Sequence, residues 1–135
     1  MSDWNKAIID EFRANKGKVG GYFERTNLLL LHTKGAKTGL ERINPVAYFI
    51  DDGRYVVIAS KSGADTNPDW YRNLLTNPDV SVEIGTEQFP ATAAAASEPE
   101  RTSLYEKMEK INPGFTDYKQ KTSRVIPVIT LTRKS

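Results

Sequence analysis

The 135-residue chain has no cysteine and a single histidine, His32. Without cysteine there are no disulfides, no thiolate nucleophile and no thiolate metal site. With one imidazole, a zinc centre would need carboxylates for most of its ligands, so no metal site is expected. Long apolar runs are missing as well: the longest aliphatic stretch, Leu28 to Leu31, falls far short of the roughly 20 residues of a membrane-spanning helix. The opening Met1-Ser2-Asp3-Trp4-Asn5 lacks the basic and apolar regions of a secretory signal, which predicts a cytoplasmic protein. Nor is there much excess charge. Nineteen basic residues face 17 acidic ones for a net +2, and the aromatics are not interleaved with the basic residues as a base-stacking strand requires, so nucleic acid is not an expected partner.

What is present fits one domain over residues 1–135, with 39% hydrophobic residues to form its core. Ser2 or Asp3 caps an amphipathic helix within residues 1–16, with Trp4, Ile8, Ile9 and Phe12 on one side, ending near Gly17 before a break at Gly20-Gly21. Asn27 to Thr33 reads as a buried strand. Arg42 to Ile50 and Arg54 to Ala59 form a hairpin about Asp51-Asp52-Gly53. Pro68 opens a helix through Trp70 and Leu74. Val80 to Ile84 and Gln88 to Ala95 make a second hairpin around Gly85-Thr86-Glu87. Ser97 and Glu100 have capping-box spacing before a helix whose apolar face is Leu104, Met108 and Ile111. Asn112-Pro113-Gly114 stops that helix, a loop carries Phe115 and Tyr118, and a last strand spans about Val125 to Thr132. Short turns between successive strands favour antiparallel pairing. The expected fold is therefore α+β, a mostly antiparallel small barrel of about six strands with three to four helices.

No nucleophile and base stand out as a pair, and His32, inside a strand, reads as a packed or rim histidine. Lys34-Gly35-Ala36-Lys37-Thr38-Gly39-Leu40-Glu41-Arg42 lacks the full phosphate-loop pattern and leads into a strand, which excludes a Walker-type site. Its glycines still allow a close backbone approach, and Lys37 and Arg42 offer charged donors to a phosphate or carboxylate. The plain alternative is a solvated turn with surface lysines. Ala59-Ser60-Lys61-Ser62-Gly63-Ala64 has the same character, and Trp70 reads either as core or as the cover of a planar ring.

Taken in order, Lys37-Thr38-Gly39 with Arg42 and Asn44-Pro45, the 59–64 segment, Asn67-Pro68-Asp69-Trp70-Tyr71-Arg72-Asn73-Leu74 and Asn77-Pro78 resemble the deazaflavin-dependent nitroreductase family. Phe12-Arg13-Ala14-Asn15, Lys18-Val19-Gly20-Gly21 and Ile126-Pro127-Val128 extend the resemblance over nearly the whole chain. It implies a split β-barrel of the FMN-binding type and reduced coenzyme F-420, an 8-hydroxy-5-deazaflavin, as hydride donor. By the same resemblance Lys37 and Arg42 hold the cofactor's phosphate or acidic tail, and Ser60, Lys61 and Gly63 lie along the ring, with Pro68 and Trp70 as part of its wall. Thr38, Gly39, Pro45, Ala59 and Asn73 complete the implied binding set. The substrate side corresponds to Asn112, Phe115 and Tyr118, where the family often carries several tyrosines and this chain has one.

The implied reaction is hydride transfer to an electron-poor acceptor, a quinone or adventitiously a nitro compound, with Tyr118 or Ser60 as proton donor. FMN is the alternative cofactor, because split barrels accept it too. A non-catalytic carrier of a cofactor or lipid is the alternative outside catalysis. Residues 1–16 either dock on the barrel, close over the site or rest on a membrane surface, which would make the protein peripheral there.

Overall fold

The computed structural model describes residues 3–19 and 27–134. The expected Ser2 cap, the Gly20-Gly21 break and the side chains of Asp3, Trp4 and Ser62 lie outside the described parts. Six strands form one closed antiparallel barrel: β1 (Leu28–Lys34), β2 (Glu41–Asp51), β3 (Arg54–Ile58), β4 (Asp79–Ile84), β5 (Glu87–Ala95) and β6 (Val128–Arg133). Around the barrel the order is β1-β2-β3-β6-β5-β4, and β4 returns to pair with β1, Leu31 opposite Val82. Closure leaves no exposed sheet edge.

The leucine run of β1 is buried throughout because both faces are covered. Leu29 and Leu31 point into the barrel with Val57, Val82, Ile129 and Leu131. Leu28 and Leu30 point outward, under α1 (Asp3–Ala14), where Ile8, Ile9 and Phe12 cover them. The first hairpin turns on Asp52 and Gly53, both at positive φ (53° and 75°), as a two-residue hairpin turn requires.

Two excursions from the barrel carry the other helices. Between β3 and β4, α2 (Asp69–Thr76) sends Trp70 and Leu74 into the inner core and so closes one end of the barrel. Pro68 precedes this helix at its cap position rather than in its first turn. Between β5 and β6, α3 (Glu100–Ile111) and α4 (Gly114–Lys121) cover the outer face of β3 and β6, with Leu104, Tyr105, Met108 and Phe115 against Val56, Ile58 and Val128.

Three expectations are corrected here. The Ser97–Glu100 capping box does not form: Glu98 does the work instead, its Oε1 accepting from Thr102 N at 3.0 Å. Ile111 is exposed and Tyr105 takes its place in the core, its hydroxyl donating to Phe115 O at 2.6 Å. The segment bearing Phe115 and Tyr118 is a helix rather than a loop, started by Asn112 Oδ1 accepting from Gly114 N at 3.0 Å. Among the described residues no helix is long and apolar enough to cross a membrane.

Candidate active site

The turn between β1 and β2 builds the first part of the site. It closes on itself, Gly35 N donating to Leu40 O at 2.7 Å and Gly39 N to Gly35 O at 2.8 Å. A Cβ at position 35 would lie 2.7 Å from Thr38 Oγ1, so any side chain there would displace Thr38. Thr38 Oγ1 also accepts from Leu40 N at 3.2 Å, which turns it toward its own loop. Asn73 fixes the turn from α2: its Oδ1 accepts from Ala36 N at 2.9 Å and its Nδ2 donates to Thr33 Oγ1 at 3.2 Å.

Between this turn, the start of β2 and α2 runs a groove of about 830 Å³, in the size range of small-molecule sites. Its charged and polar lining includes Lys37, Thr38, Arg42 and Asn73 with Arg72 and two carboxylates, Asp69 and Glu41, the latter 3.5 Å from His32 Nδ1. Arg72 is paired with Asp69. Among the described residues Lys37 and Arg42 make no ion pair, so their charges are available to an anion.

The second part is the turn after β3. Ser60 is buried and starts a short 3-10 turn over Lys61–Gly63, with Lys61 at φ 49° and Gly63 at φ 84°. The Ser60 hydroxyl makes no hydrogen bond among the described residues. A Cβ on Gly63 would lie 3.0 Å from Tyr118 O and 3.0 Å from Lys121 Cβ, so α4 packs directly on this turn. Lys61 Nζ reaches Thr66 Oγ1 at 3.2 Å. Half-buried Tyr118 stands edge-on to Phe115, ring centres 5.1 Å apart. The two parts meet in sequence at the head of α2, where Asn67 belongs to the second turn and Asp69 to the groove wall.

Several expected residues are placed otherwise. Ala59 and Trp70 lie in the inner core beside Leu74, so they support the site from within rather than lining it. Of the residues expected on the substrate side, Phe115 is packed in the cluster under α3 and Asn112 caps α4, both beside Tyr118. Gly39 sits at an exposed bend with φ 72°. Pro45 is half-buried in β2 opposite Leu30.

Sequence reading named Arg72 only within its motif, without a place in the site, and missed Arg124. Arg72 lies one helical turn from Asp69 and could have been placed beside it from the i, i+3 spacing. Arg124 gives no such signal, because all four of its partners are 57 to 65 residues away in sequence. His32 is buried as a packed histidine, on the outer barrel face: its Nε2 lies 2.5 Å from Glu83 Oε2, and Glu83 also takes a two-point contact from Arg13. Burial alone would push the Glu83 carboxyl up, but the bonds from Arg13 and His32 more than reverse this and hold it below its ordinary range. Burial, with the nearby Glu109 charge, pushes the Tyr105 hydroxyl up to about 12, which leaves it a structural donor only.

Residues 4–133 match the family model described as F420H(2)-dependent quinone reductase. The F420H(2)-dependent quinone reductase Rv1261c of Mycobacterium tuberculosis is 37% identical over 127 residues, 91% of this chain and 85% of that protein. A solved F420-H2 dependent reductase superposes with a TM-score of 0.70 at 35% identity, covering 77% of this chain and 92% of the other. The heme storage protein HutZ of Vibrio cholerae, 17% identical, aligns over 97% of this chain and 91% of its own with a TM-score of 0.62, a likeness of fold alone.

Proposed function

The chain belongs to the F420H(2)-dependent quinone reductase family, and on that premise we propose that the cationic groove and the 59–67 turn hold the cofactor while the acceptor enters beside α4. The protein is an oxidoreductase that uses reduced coenzyme F-420 to reduce a quinone. The observation that carries the proposed placement is the pair of cations Lys37 and Arg42, without an ion-pair partner among the described residues, on a groove of about 830 Å³ whose turn is fixed by Asn73. Such a groove suits the acidic tail of a deazaflavin cofactor.

When bound, the reduced deazaflavin supplies the hydride. The protein's own contributions are binding, orientation and the proton. Lys37 and Arg42 neutralise the anionic end, and Thr38 and Asn73 keep the turn that carries Lys37 in shape. Ser60, Lys61 and Gly63 form a turn backed by α4 that would hold the ring of the cofactor. A quinone that accepts a hydride still needs one proton to become a hydroquinone, and Tyr118 Oη or Ser60 Oγ donates it directly or through one water. Nitro compounds are included as adventitious acceptors, since any electron-poor group that fits beside α4 meets the same requirement. Contact with a membrane surface through residues 1–16 is not included, because Ile8, Ile9 and Phe12 are already buried against the barrel.

Parallel titrations with oxidised and reduced coenzyme F-420 and with FMN, followed by turnover with a benzoquinone, test this reading. Binding of F-420 in preference to FMN, with quinone reduction, is expected. Preference for FMN would reassign the protein to an ordinary flavin reductase, and tight F-420 binding with no turnover on any quinone would make it a carrier.

A further inference from the structure

We propose that Arg124 is a positioning residue for cofactor binding, holding the 59–67 turn so that the Ser60 and Lys61 N–H groups rather than the Ala59 and Ser60 carbonyls face the ligand. This inference rests on the reading above, in which that turn lies along the ring. Arg124 stands in the irregular stretch between α4 and β6, its own N–H donating to Thr122 Oγ1 at 3.3 Å. Its half-buried guanidinium makes four hydrogen bonds to the turn. Nε donates to Ala64 O at 2.8 Å, Nη1 to Asn67 Oδ1 at 2.8 Å, and Nη2 to Ser60 O at 2.9 Å and Ala59 O at 3.2 Å.

Among the described residues Arg124 has no carboxylate partner, so its charge is met by carbonyl oxygens alone. Partial burial of a charge without a counter-ion is costly unless its hydrogen bonds are good, and it binds those oxygens firmly when they are. In a trans peptide C=O and N–H point in opposite directions. Drawing the Ala59 and Ser60 carbonyls to Arg124 therefore turns the Ser60 and Lys61 N–H groups the other way. With the turn's own bonds from Gly63 N and Ala64 N, these four bonds bracket Lys61, whose left-handed φ of 49° is costly for a residue with a side chain. What the turn then presents is the pair of Ser60 and Lys61 N–H groups, the Gly63 and Ala64 N–H groups donating within the turn to Ser60 O at 3.0 Å and Lys61 O at 3.1 Å; such a pair suits an electron-rich, oxygen-bearing edge of a planar ring. A lysine cannot reproduce this, because only the planar fork of arginine reaches four oxygens at fixed angles.

The test uses the full chain with Arg124→Lys and the milder Asn67→Ala, which removes one acceptor and leaves the guanidinium. For Arg124→Lys the affinity for coenzyme F-420 should fall about 10- to 100-fold, the weight of one or two charged hydrogen bonds. The quinone KM should be unchanged and the visible band of the bound deazaflavin shifted. Asn67→Ala should weaken binding in the same direction by less. If either variant is folded yet binds coenzyme F-420 as the natural chain does, with the same band, Arg124 is only a tie for the C-terminal segment and the inference is overturned. Should Arg124→Lys fail to fold, Asn67→Ala decides by itself. Failure of the natural chain to bind coenzyme F-420 would instead overturn the cofactor reading, and the two failures are distinguishable by that control.

Discussion

Asn73 on α2 and Ala36 in the β1–β2 turn, 37 positions apart in sequence, are joined by a 2.9 Å hydrogen bond from Ala36 N to Asn73 Oδ1. The same amide donates to Thr33 Oγ1, so one buried side chain ties the helix that closes the barrel to the strand and to the turn that carries Lys37. Asn73→Ala removes both bonds and leaves the buried Thr33 hydroxyl and the Ala36 N–H without this partner. Stability should drop by about 1–3 kcal/mol, and the affinity for coenzyme F-420 should fall because the turn loosens. Thermal melts paired with cofactor titration check this, and a variant that melts lower but binds normally would confine Asn73 to stability.

Glu83 is one of the carboxylates that make the fold acid-sensitive, and it is less exposed than Asp79 or Glu98. Its carboxyl is held below its ordinary range by Arg13 and His32, so its contribution to stability is present above the unfolded pKa of about 4.3 and is lost as pH falls through the lower folded value. The natural chain should therefore unfold more readily below about pH 4. Glu83→Gln should lower stability near neutrality by about 1–3 kcal/mol while flattening that acid limb. Melting temperatures at pH 7 and pH 4 for both chains give the comparison, and parallel acid limbs would show that another carboxylate, such as Asp51 or Glu109, dominates.

Tyr118→Phe separates the two uses of that residue. The ring would keep its edge-on contact with Phe115 and only the hydroxyl would be lost. Cofactor affinity and melting temperature should stay near those of the natural chain while quinone turnover falls about 10- to 100-fold if proton donation is direct. Full turnover with lowered stability would make the hydroxyl structural and leave the proton to Ser60 or water.

Much of the barrel was legible because local patterns and tertiary packing agree. Asp52-Gly53 names its own turn, and the alternation of Val80, Val82 and Ile84 marks β4 as covered on one side. The eight-residue α4 was not legible, since Gly114 and the polar Thr116, Asp117 and Lys119 give no helical stripe. It is held by tertiary contacts, Phe115 in the outer core and Thr116 and Lys119 on Glu109. In the site, cations next to glycines were readable, and Lys37, Arg42 and Asn73 do line one groove. Trp70 could not be resolved from sequence, because a ring that covers a ligand and a ring that plugs a barrel share the same helical spacing. Arg124 was invisible for a related reason: carbonyl oxygens, its main partners, occur at every residue and leave no mark in a sequence.

The most direct test of the account is the affinity for coenzyme F-420 of a Lys37→Ala, Arg42→Ala double variant beside the natural chain, at low and high salt. Each side chain should contribute about 1–3 kcal/mol as a charged donor, so the double variant should bind far more weakly. Added salt should weaken the natural chain's binding more than the variant's. Equal affinity of the two proteins, with no difference in salt dependence, would contradict the placement of the cofactor in this groove.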